Sequence, residues 1–285
     1  MKKSLKAIIK RYIPTRVLLK RTYKKAMGST LDFRKPITFN EKIQWLKVHR
    51  KKKIYTTLVD KYRVRKYIEN TIGKEYLIPL LGVYERFEDI DFDKLPDKFV
   101  LKTNHDSGSV AICTNKATFD LNYAGKILTE SLHRNFYYQS REYPYKKIRP
   151  LIIAEAFIGQ NNRPPEDYKI LCFNGKPDNI MVCTDRFTGQ TKYYFFDLNW
   201  NLLRYNHWGQ IAPKDFSLPK PSNLDEMISI ATKLSKDTIL SRIDLYDVTG
   251  KIYFGEITFF PDSGFDKNYT KEAELILGNK INLEA

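Results

Sequence analysis

Residues 242–258 have the sequence RIDLYDVTGKIYFGEIT and are the most informative segment of the chain. Thr249-Gly250 separates two runs rich in β-branched and aromatic residues, a pattern typical of a β-hairpin. Side chains alternate between the two faces of a strand, so Arg242 and Asp244 share a face. We predict that the hairpin brings Asp244 and Glu256 together beside Arg242.

The charges of this hairpin predict a metal and phosphate site. Two carboxylates a few ångströms apart repel each other unless a cation lies between them. Carboxylates combined with phosphate oxygens are the usual ligands of Mg²⁺, and an arginine pairs bidentately with phosphate. Asp244 and Glu256 are therefore candidate magnesium ligands, and Arg242 is a candidate phosphate contact. The alternative interpretation is a surface salt bridge beside a hairpin.

A second informative segment is KTNHDSGSV, residues 102–110. The predicted strand ends in Lys102, and a loop of small polar residues follows. Short side chains let backbone N–H groups approach an anion, and the lysine adds a positive charge, which suits a triphosphate. The candidate residues of the loop are Ser107, Gly108 and Ser109. The alternative is an ordinary turn between strands.

A third segment begins with AEAFIG, residues 154–159, and an apolar strand is predicted there. Such a strand followed by a polar loop is suited to gripping a flat heteroaromatic base, with Asp167 accepting hydrogen bonds from a ribose and Lys169 reaching phosphate. The alternative is a buried strand without a ligand. The candidate contacts to the base are Glu155, Phe157 and Ile158.

The hydrophobic pattern predicts an α+β fold. Strands outnumber helices in the C-terminal half, and consecutive strands are separated by turn signals such as Asn174-Gly175, so they are expected to pair as hairpins rather than in a doubly wound parallel sheet. Residues 54–72 are predicted to be mostly helical, with Gly73 as the end of the segment, and helices are predicted over 121–133 and 224–234.

The net charge of +16 is concentrated at the N-terminus. Residues 1–53 carry 18 Lys and Arg against two acids, whereas residues 54–285 carry 31 bases and 31 acids. A neutral body disfavours a nucleic-acid enzyme with a basic groove. The three cysteines form no C-x-x-C pair, so a disulfide scaffold and a thiolate zinc site are not expected, and a reduced cytosolic protein is the default.

Residues 1–26 combine an apolar stripe with many bases. Leu5, Ile8, Ile9 and Tyr12 have the spacing of one helical face, and Pro14 is expected to break the helix. The segment is too short and too charged to span a bilayer or to serve as a secretory signal. It is suited to lying on an anionic membrane surface. It is also compatible with packing on the body or with holding an anionic polymer.

Taken together, the order of these segments resembles the ATP-grasp superfamily, in which two α+β subdomains grip ATP. Thr258 is a departure, because the superfamily usually has Asn there. The chain looks more closely like the TupA-like ATP-grasp family of polysaccharide gene clusters. The segments that carry this resemblance are TFNEKIQW (38–45), DKY (60–62), FVLKTNHDSG (99–108), DYK (167–169), CFNGK (172–176), RIDLY (242–246) and FGEIT (254–258).

The resemblance implies an ATP- and Mg²⁺-dependent carboxylate–amine ligase that forms an amide through an acyl phosphate. Lys102, Lys169 and Arg242 would neutralise phosphate charge, and Lys192 would be a further contact. The metal ligands would be Asp244, Glu256 and Thr258. The loop of Ser107, Gly108 and Ser109 would close over the phosphates.

The family context suggests that the acceptor is a uronic acid of a surface glycan or of its lipid-linked precursor, and that the amine is an amino acid or a small amine. The enzyme would act in the cytoplasm, peripherally at the inner face of the plasma membrane, without nucleic acid. Alternatives are a phosphotransferase acting on a sugar and a non-catalytic binder of anionic glycan or lipid. The expected division of the chain is a basic segment 1–36, an N-terminal subdomain 37–98, a lid 99–150 and a catalytic subdomain 151–285.

Overall fold

The computed structural model describes residues 10–185 and 190–284 and divides the chain into two compact units. The terminal unit joins Met1–Lys51 to Glu166–Ala285, and the central unit is Lys52–Pro165. The described α-helices after Pro14 are α1 Thr15–Met27, α2 Phe39–His49, α3 Ile54–Val59, α4 Val64–Thr71, α5 Leu121–Leu132, α6 Tyr137–Ser140, α7 His207–Ile211, α8 Leu224–Ser235 and α9 Lys271–Lys280.

The strands follow the same chain order. They are β1 Leu80–Tyr84, β2 Phe99–Thr103, β3 Val110–Cys113, β4 Ile152–Ala156, β5 Glu166–Phe173, β6 Lys176–Thr184, β7 Lys192–Asp197, β8 Leu202–Leu203, β9 Leu240–Val248 and β10 Lys251–Thr258.

The central unit contains a four-stranded antiparallel sheet in the order β1-β4-β2-β3. One face packs against α5, whose Ala124 and Leu128 are completely buried. The other face contains Lys102 and Glu155 and the half-exposed side chains of Val110 and Ile112. The strand residues of the buried face are Phe99, Leu101, Ala111, Cys113, Ile152 and Ala154.

The terminal unit contains a six-stranded antiparallel sheet in the order β10-β9-β5-β6-β7-β8. The turns at Asn174-Gly175 and Thr249-Gly250 have positive φ at both residues, which matches the right-handed twist of the flanking strands. Both predicted hairpins are therefore confirmed. Helix α8 contacts β5, β6 and β9. The α+β fold class, with antiparallel hairpins rather than a parallel doubly wound sheet, is also confirmed.

The described part of the basic N-terminal segment packs on the terminal unit. In α1, Leu19 and Tyr23 are buried and join a cluster with Leu31 and Phe33, against which Trp45 packs. The packing interpretation is thus confirmed for α1, whose Leu18, Leu19 and Tyr23 are buried, whereas Val17 is exposed. Pro14 breaks the helix as predicted. Leu5, Ile8 and Ile9 lie outside the described residues.

The prediction that residues 54–72 are mostly helical is confirmed, but the segment forms two helices, because the chain turns at Asp60 between α3 and α4. Its carboxylate accepts hydrogen bonds from the backbone N–H groups of Tyr62 and Arg63 and from the side-chain amide of Asn104. These bonds compete with helical hydrogen bonds. The contact to Asn104 is long-range, so helical periodicity alone does not reveal it.

The two compact units divide the chain differently from the expected subdomains. Residues 37–51 belong to the terminal unit, and residues 151–165 belong to the central unit. Strand pairing explains the second difference, since β4 lies between β1 and β2 in the sheet of the central unit.

Candidate functional site

A buried charged cluster lies on β5, β9 and β10 of the terminal unit. Lys169 is paired across the strands with Asp244, and their side chains form an ion pair. Arg242 donates to both oxygens of Asp244, from Nε at 2.8 Å and from Nη2 at 2.9 Å. The same Nη2 lies 3.4 Å from Oε1 of Glu256. The structure therefore brings together the lysine, arginine and two carboxylates predicted from separate segments.

The charges of this cluster stabilise one another in a buried setting. The Asp244 residue is only 1% exposed. Burial disfavours the charged form of Lys169, but Asp244, together with Asp167 and Glu256, outweighs this effect and raises the pKa of the lysine above its ordinary value. Lys169 is therefore protonated at neutral pH. It is a fixed positive charge and is not suited to be a general base.

A β-bulge places Glu256 in the cluster. Phe254 pairs with Leu245, but Glu256 pairs with Asp244, so β10 has one additional residue, Gly255, at this point. In an uninterrupted register, alternation would direct Glu256 to the opposite face from Asp244. An added Cβ on Gly255 would lie 3.0 Å from the backbone oxygen of Asp244, so this close approach favours glycine.

The donor atoms fit a hard divalent cation. Asp244 and Glu256 present carboxylate oxygens on paired strands, and Thr258 donates a 3.2 Å hydrogen bond to Glu256 Oε1. Within the described ranges, no group of three or more His, Cys, Asp or Glu side chains could hold a metal ion. A site formed by two carboxylates therefore depends on ligand oxygens, and Mg²⁺ is commonly bound in this way with substrate phosphates.

Two of the predicted residues have contacts that differ from their expected roles. Asp167 is buried and its Oδ2 lies 2.6 Å from Nζ of Lys169, so it belongs to the charged cluster rather than to an open ribose site. Lys192 contacts Asp185 at 3.2 Å and lies over the ring of Trp208. Asp167 pairs with Cys183, and Cys183 pairs with Tyr193, so Tyr193 lies on the face of the sheet that contains Asp167. Lys192 precedes Tyr193 in β7 and therefore lies on the opposite face. The structure does not bring Lys192 to the cluster.

The central unit contains a second buried ion-pair cluster, centred on Glu155 of β4. Lys102 on β2 contacts one oxygen of Glu155 at 2.7 Å, and Arg65 on α4 contacts the other at 3.2 Å. Glu155, predicted as a contact to the base, thus orients the lysine predicted as a phosphate contact. Arg65 was missed by the sequence analysis, because nothing in its local sequence distinguishes it from other surface bases.

The loop after Lys102 exposes only part of its polar sequence. Ser107 and Gly108 are exposed, whereas Ser109 is buried and donates a hydrogen bond to Asp106. The hydroxyl of Ser109 is therefore engaged within the protein. Phe157 and Ile158 follow β4 and are half-buried.

A family model described as TupA-like ATPgrasp matches residues 41–282. The chain belongs to this family. No curated protein sequence matches the chain. Among solved structures, the L-amino acid ligase from Bacillus licheniformis is similar, with a TM-score of 0.50 and 14% identity over 86% of this chain and 56% of that one. This similarity supports the ATP-grasp fold.

The D-alanine–D-alanine ligase from Bacillus anthracis, solved in complex with ATP, aligns with a TM-score of 0.46 and 17% identity over 79% of this chain and 65% of that one. The chain thus spans less than two thirds of the length of these solved ligases. Within this ATP-grasp family member, the two charged clusters are the candidate functional residues.

Proposed function

We propose that this protein is an ATP-dependent ligase that joins a carboxylate to an amine. The observation that carries the proposal is the cluster of buried Lys169, Arg242 and Asp244 with the partly exposed Glu256, in a chain of the TupA-like ATP-grasp family. It combines two fixed positive charges with carboxylates on paired strands. Phosphoryl transfer requires mainly positioning and charge stabilisation, and this cluster contains the groups for both.

In the proposed site, Lys169 and Arg242 bind the phosphates of ATP. When phosphate oxygens replace carboxylate oxygens around Arg242, its planar guanidinium group pairs with them bidentately. Asp244 and Glu256 are the residues that would hold Mg²⁺, with Thr258 close to Glu256. An ion held there would supply charge neutralisation for the phosphates and a Lewis acid. With Asp167 the cluster has more acids than bases, so a cation at Asp244 and Glu256 would also offset this excess of negative charge.

The central unit, taken by itself, contains a second proposed set of nucleotide-binding groups. Lys102, oriented by Glu155, adds positive charge, and Ser107 and Gly108 offer backbone N–H groups to phosphate. Phe157 and Ile158 provide half-buried apolar surface for the base. Ser109 and Lys192 are not assigned direct contacts, because their side chains have partners elsewhere.

The proposed reaction has two steps. A carboxylate oxygen of the acceptor bonds to the γ-phosphorus of ATP, the bond from that phosphorus to its bridging oxygen breaks, and ADP leaves. The amine nitrogen then bonds to the acyl carbon, the bond from that carbon to the phosphate oxygen breaks, and one amine proton leaves with the phosphate. Lys169 and Arg242 stabilise the charge that shifts in the first step, and no protein nucleophile is required.

We propose a uronic acid of a surface glycan, or its lipid-linked precursor, as the carboxylate, and an amino acid or a small amine as the partner. The support is the resemblance to ATP-grasp proteins of polysaccharide gene clusters. A sugar phosphotransferase would produce ADP and a phosphorylated sugar, whereas the ligase produces ADP, free phosphate and an amide, so product analysis distinguishes them.

We further propose that the protein associates peripherally with an anionic membrane on its cytoplasmic side. In the part of the chain that the structure describes, no helix has both the length and the apolar composition to cross a bilayer. Helix α1 buries most of its large apolar side chains, apart from Val17, and exposes Arg16, Lys20, Arg21, Lys24 and Lys25. Attraction would therefore come from these bases rather than from inserted apolar groups.

The deciding experiment is calorimetric titration of the full chain with ATP in the presence and absence of Mg²⁺. We expect Mg²⁺-dependent binding that weakens in Glu256→Gln and in Lys102→Ala. Asp225→Asn, an exposed acid in α8, is the matched control for the loss of a carboxylate. Absence of binding by the wild type at millimolar ATP would contradict the proposed function. Binding would justify screening uronic acids with amines for release of ADP and phosphate.

A further inference from the structure

Asp106 is a buried carboxylate held by three hydroxyl groups from three different elements. Thr103, at the end of β2, donates to Oδ1 at 2.6 Å. Ser109, in the loop before β3, donates to Oδ2 at 2.7 Å, and Ser131 of α5 donates to the same oxygen at 2.6 Å. Burial opposes ionisation, but the hydroxyl groups outweigh it and lower the pKa of Asp106 below its ordinary value.

A second set of hydrogen bonds fixes the backbone on either side of Asp106. Nζ of Lys61 donates to the backbone oxygen of Asp106 at 2.5 Å. The side-chain amide of Asn104 donates to Asp60 at 2.9 Å, and its oxygen accepts the backbone N–H of Leu151 at 2.8 Å. The loop is therefore bound to the turn between α3 and α4 and to the start of β4.

This network leaves a two-residue tip exposed. Asn104, His105 and Asp106 are buried, and Ser109 is turned inward, so only Ser107 and Gly108 face solvent in this loop. Gly108 has a φ of 92°, which disfavours other residues, while a Cβ at this position would meet nothing within 4 Å. The open space beside Gly108 shows that its backbone is accessible to a ligand.

We propose that Asp106 is a positioning residue, which holds Ser107 and Gly108 in the conformation that binds the phosphates of the nucleotide. This inference rests on the proposed function. Asp106 does not touch the nucleotide itself. It acts through Ser109 and Thr103, which flank the tip, and it fixes both to Ser131 in α5. In this proposal, residues 102–110 therefore contain both the exposed residues that bind the ligand and the buried carboxylate that fixes their position.

The test compares ATP with adenosine, which lacks phosphates, by calorimetry on the full chain. In Asp106→Ala we expect ATP affinity to fall about tenfold or more, the effect of losing hydrogen bonds to a charged group, with adenosine affinity changed less than about twofold. Ser131→Ala removes one donor in α5, away from the tip, and should produce a smaller loss of the same kind. Asp106→Asn keeps the shape and part of the bonding, so it should recover part of the ATP affinity.

Ser235→Ala removes a buried helical hydroxyl of the terminal unit and is the matched control. Melting temperatures identify variants that fail to fold, and Ser131→Ala provides the test if Asp106→Ala is one of them. Unchanged ATP affinity in the folded variants would overturn the inference, as would an equal loss for ATP and adenosine. A wild type that binds no ATP would instead overturn the proposed function, and this inference with it.

Discussion

Glu256 faces Asp244 because β10 accommodates one additional residue, Gly255, between two consecutive pairs of the hairpin register. Without the bulge, Glu256 would lie on the face opposite Asp244. With it, both acids lie on the same face as Arg242. The local backbone geometry of a single glycine is therefore linked to the proposed magnesium site.

Gly255→Ala should weaken Mg²⁺-dependent ATP binding. The new Cβ would lie 3.0 Å from the backbone oxygen of Asp244 and 3.1 Å from the ring of Tyr246, so the bulge must shift to accept it. We expect a destabilisation of about 1–3 kcal/mol, typical of overpacking, and at least about a tenfold loss of ATP affinity with Mg²⁺. Thermal unfolding and calorimetry measure the two effects.

Gly250→Ala is the control for this prediction. Gly250 is in the same hairpin with a φ of 82°, and no atom lies within 4 Å of its added Cβ. Alanine there strains the turn by about 1 kcal/mol without touching the cluster. If both variants lose stability but retain equal ATP affinity, the bulge has no role in the metal site.

Arg65→Met should destabilise the central unit and weaken ATP binding together. Arg65 is one of two cations on the buried carboxylate of Glu155, and its Nη2 also donates to the backbone oxygen of Ile78 at 2.8 Å. Removing one partner of a buried ion pair costs about 3–5 kcal/mol, and the remaining contact with Lys102 should reduce this to about 2 kcal/mol. Denaturant unfolding measures the change.

Arg63→Met provides the comparison. Arg63 lies two residues before Arg65, but 60% of its side chain is exposed, and its contact with Asp60 is longer, at 3.8 Å from Nε to Oδ2. Exposed ion pairs contribute about 0–1 kcal/mol, so its effect should be small. Equal effects of Arg63→Met and Arg65→Met would contradict the importance assigned to the Glu155 cluster.

Glu274→Gln should change the pH dependence of stability. Burial raises the pKa of Glu274 above its ordinary value of 4.5, although Asn40 donates two hydrogen bonds to its carboxylate. Between pH 4.5 and the raised native value, the native state binds more protons than the unfolded state, so stability falls as pH rises. The variant lacks this contribution.

We therefore expect the free energy of unfolding of Glu274→Gln, relative to the wild type, to increase as the pH rises from about 4 to 7. Denaturant titrations at several pH values check this. Glu272→Gln changes a more exposed acid of the same helix and is the matched control. A pH-independent difference for Glu274→Gln would show that burial does not perturb this carboxyl group.

Replacing Lys20, Arg21, Lys24 and Lys25 with Gln should reduce binding to anionic vesicles at least about tenfold, since each base near a membrane contributes about 1 kcal/mol. Substitution is preferable to truncation, because removing α1 would uncover the apolar cluster formed with Leu31, Phe33 and Trp45. Co-sedimentation with vesicles containing phosphatidylserine measures the effect.

A charge-matched control is the quadruple Gln variant of exposed lysines elsewhere in the terminal unit, at Lys214, Lys220, Lys233 and Lys236. It lowers net charge equally but leaves α1 intact. If both variants lose the same vesicle affinity, the attraction comes from overall charge and not from α1.

Local sequence determined much of the fold and part of the site. The turns Asn174-Gly175 and Thr249-Gly250 allow positive φ at low cost, and with the apolar runs on either side they were sufficient to predict two hairpins. The second hairpin also places the strand of Asp244 beside the strand of Glu256, but simple alternation would put these two acids on opposite faces, so their meeting depends on the bulge at Gly255. Each of these inferences depends on residues close together in the chain.

Only the tertiary structure decided which groups contact across long distances in the chain. Asp60 accepts a hydrogen bond from Asn104, and Lys102 shares the carboxylate of Glu155 with Arg65. Ser109 donates to Asp106, which also accepts from Ser131. A buried polar group must find partners wherever packing places them, and no local periodicity records that choice. The alternating pattern of the strands likewise did not predict the extra residue in β10, because the pairing of two strands, and not the sequence of one strand alone, determines where a bulge forms.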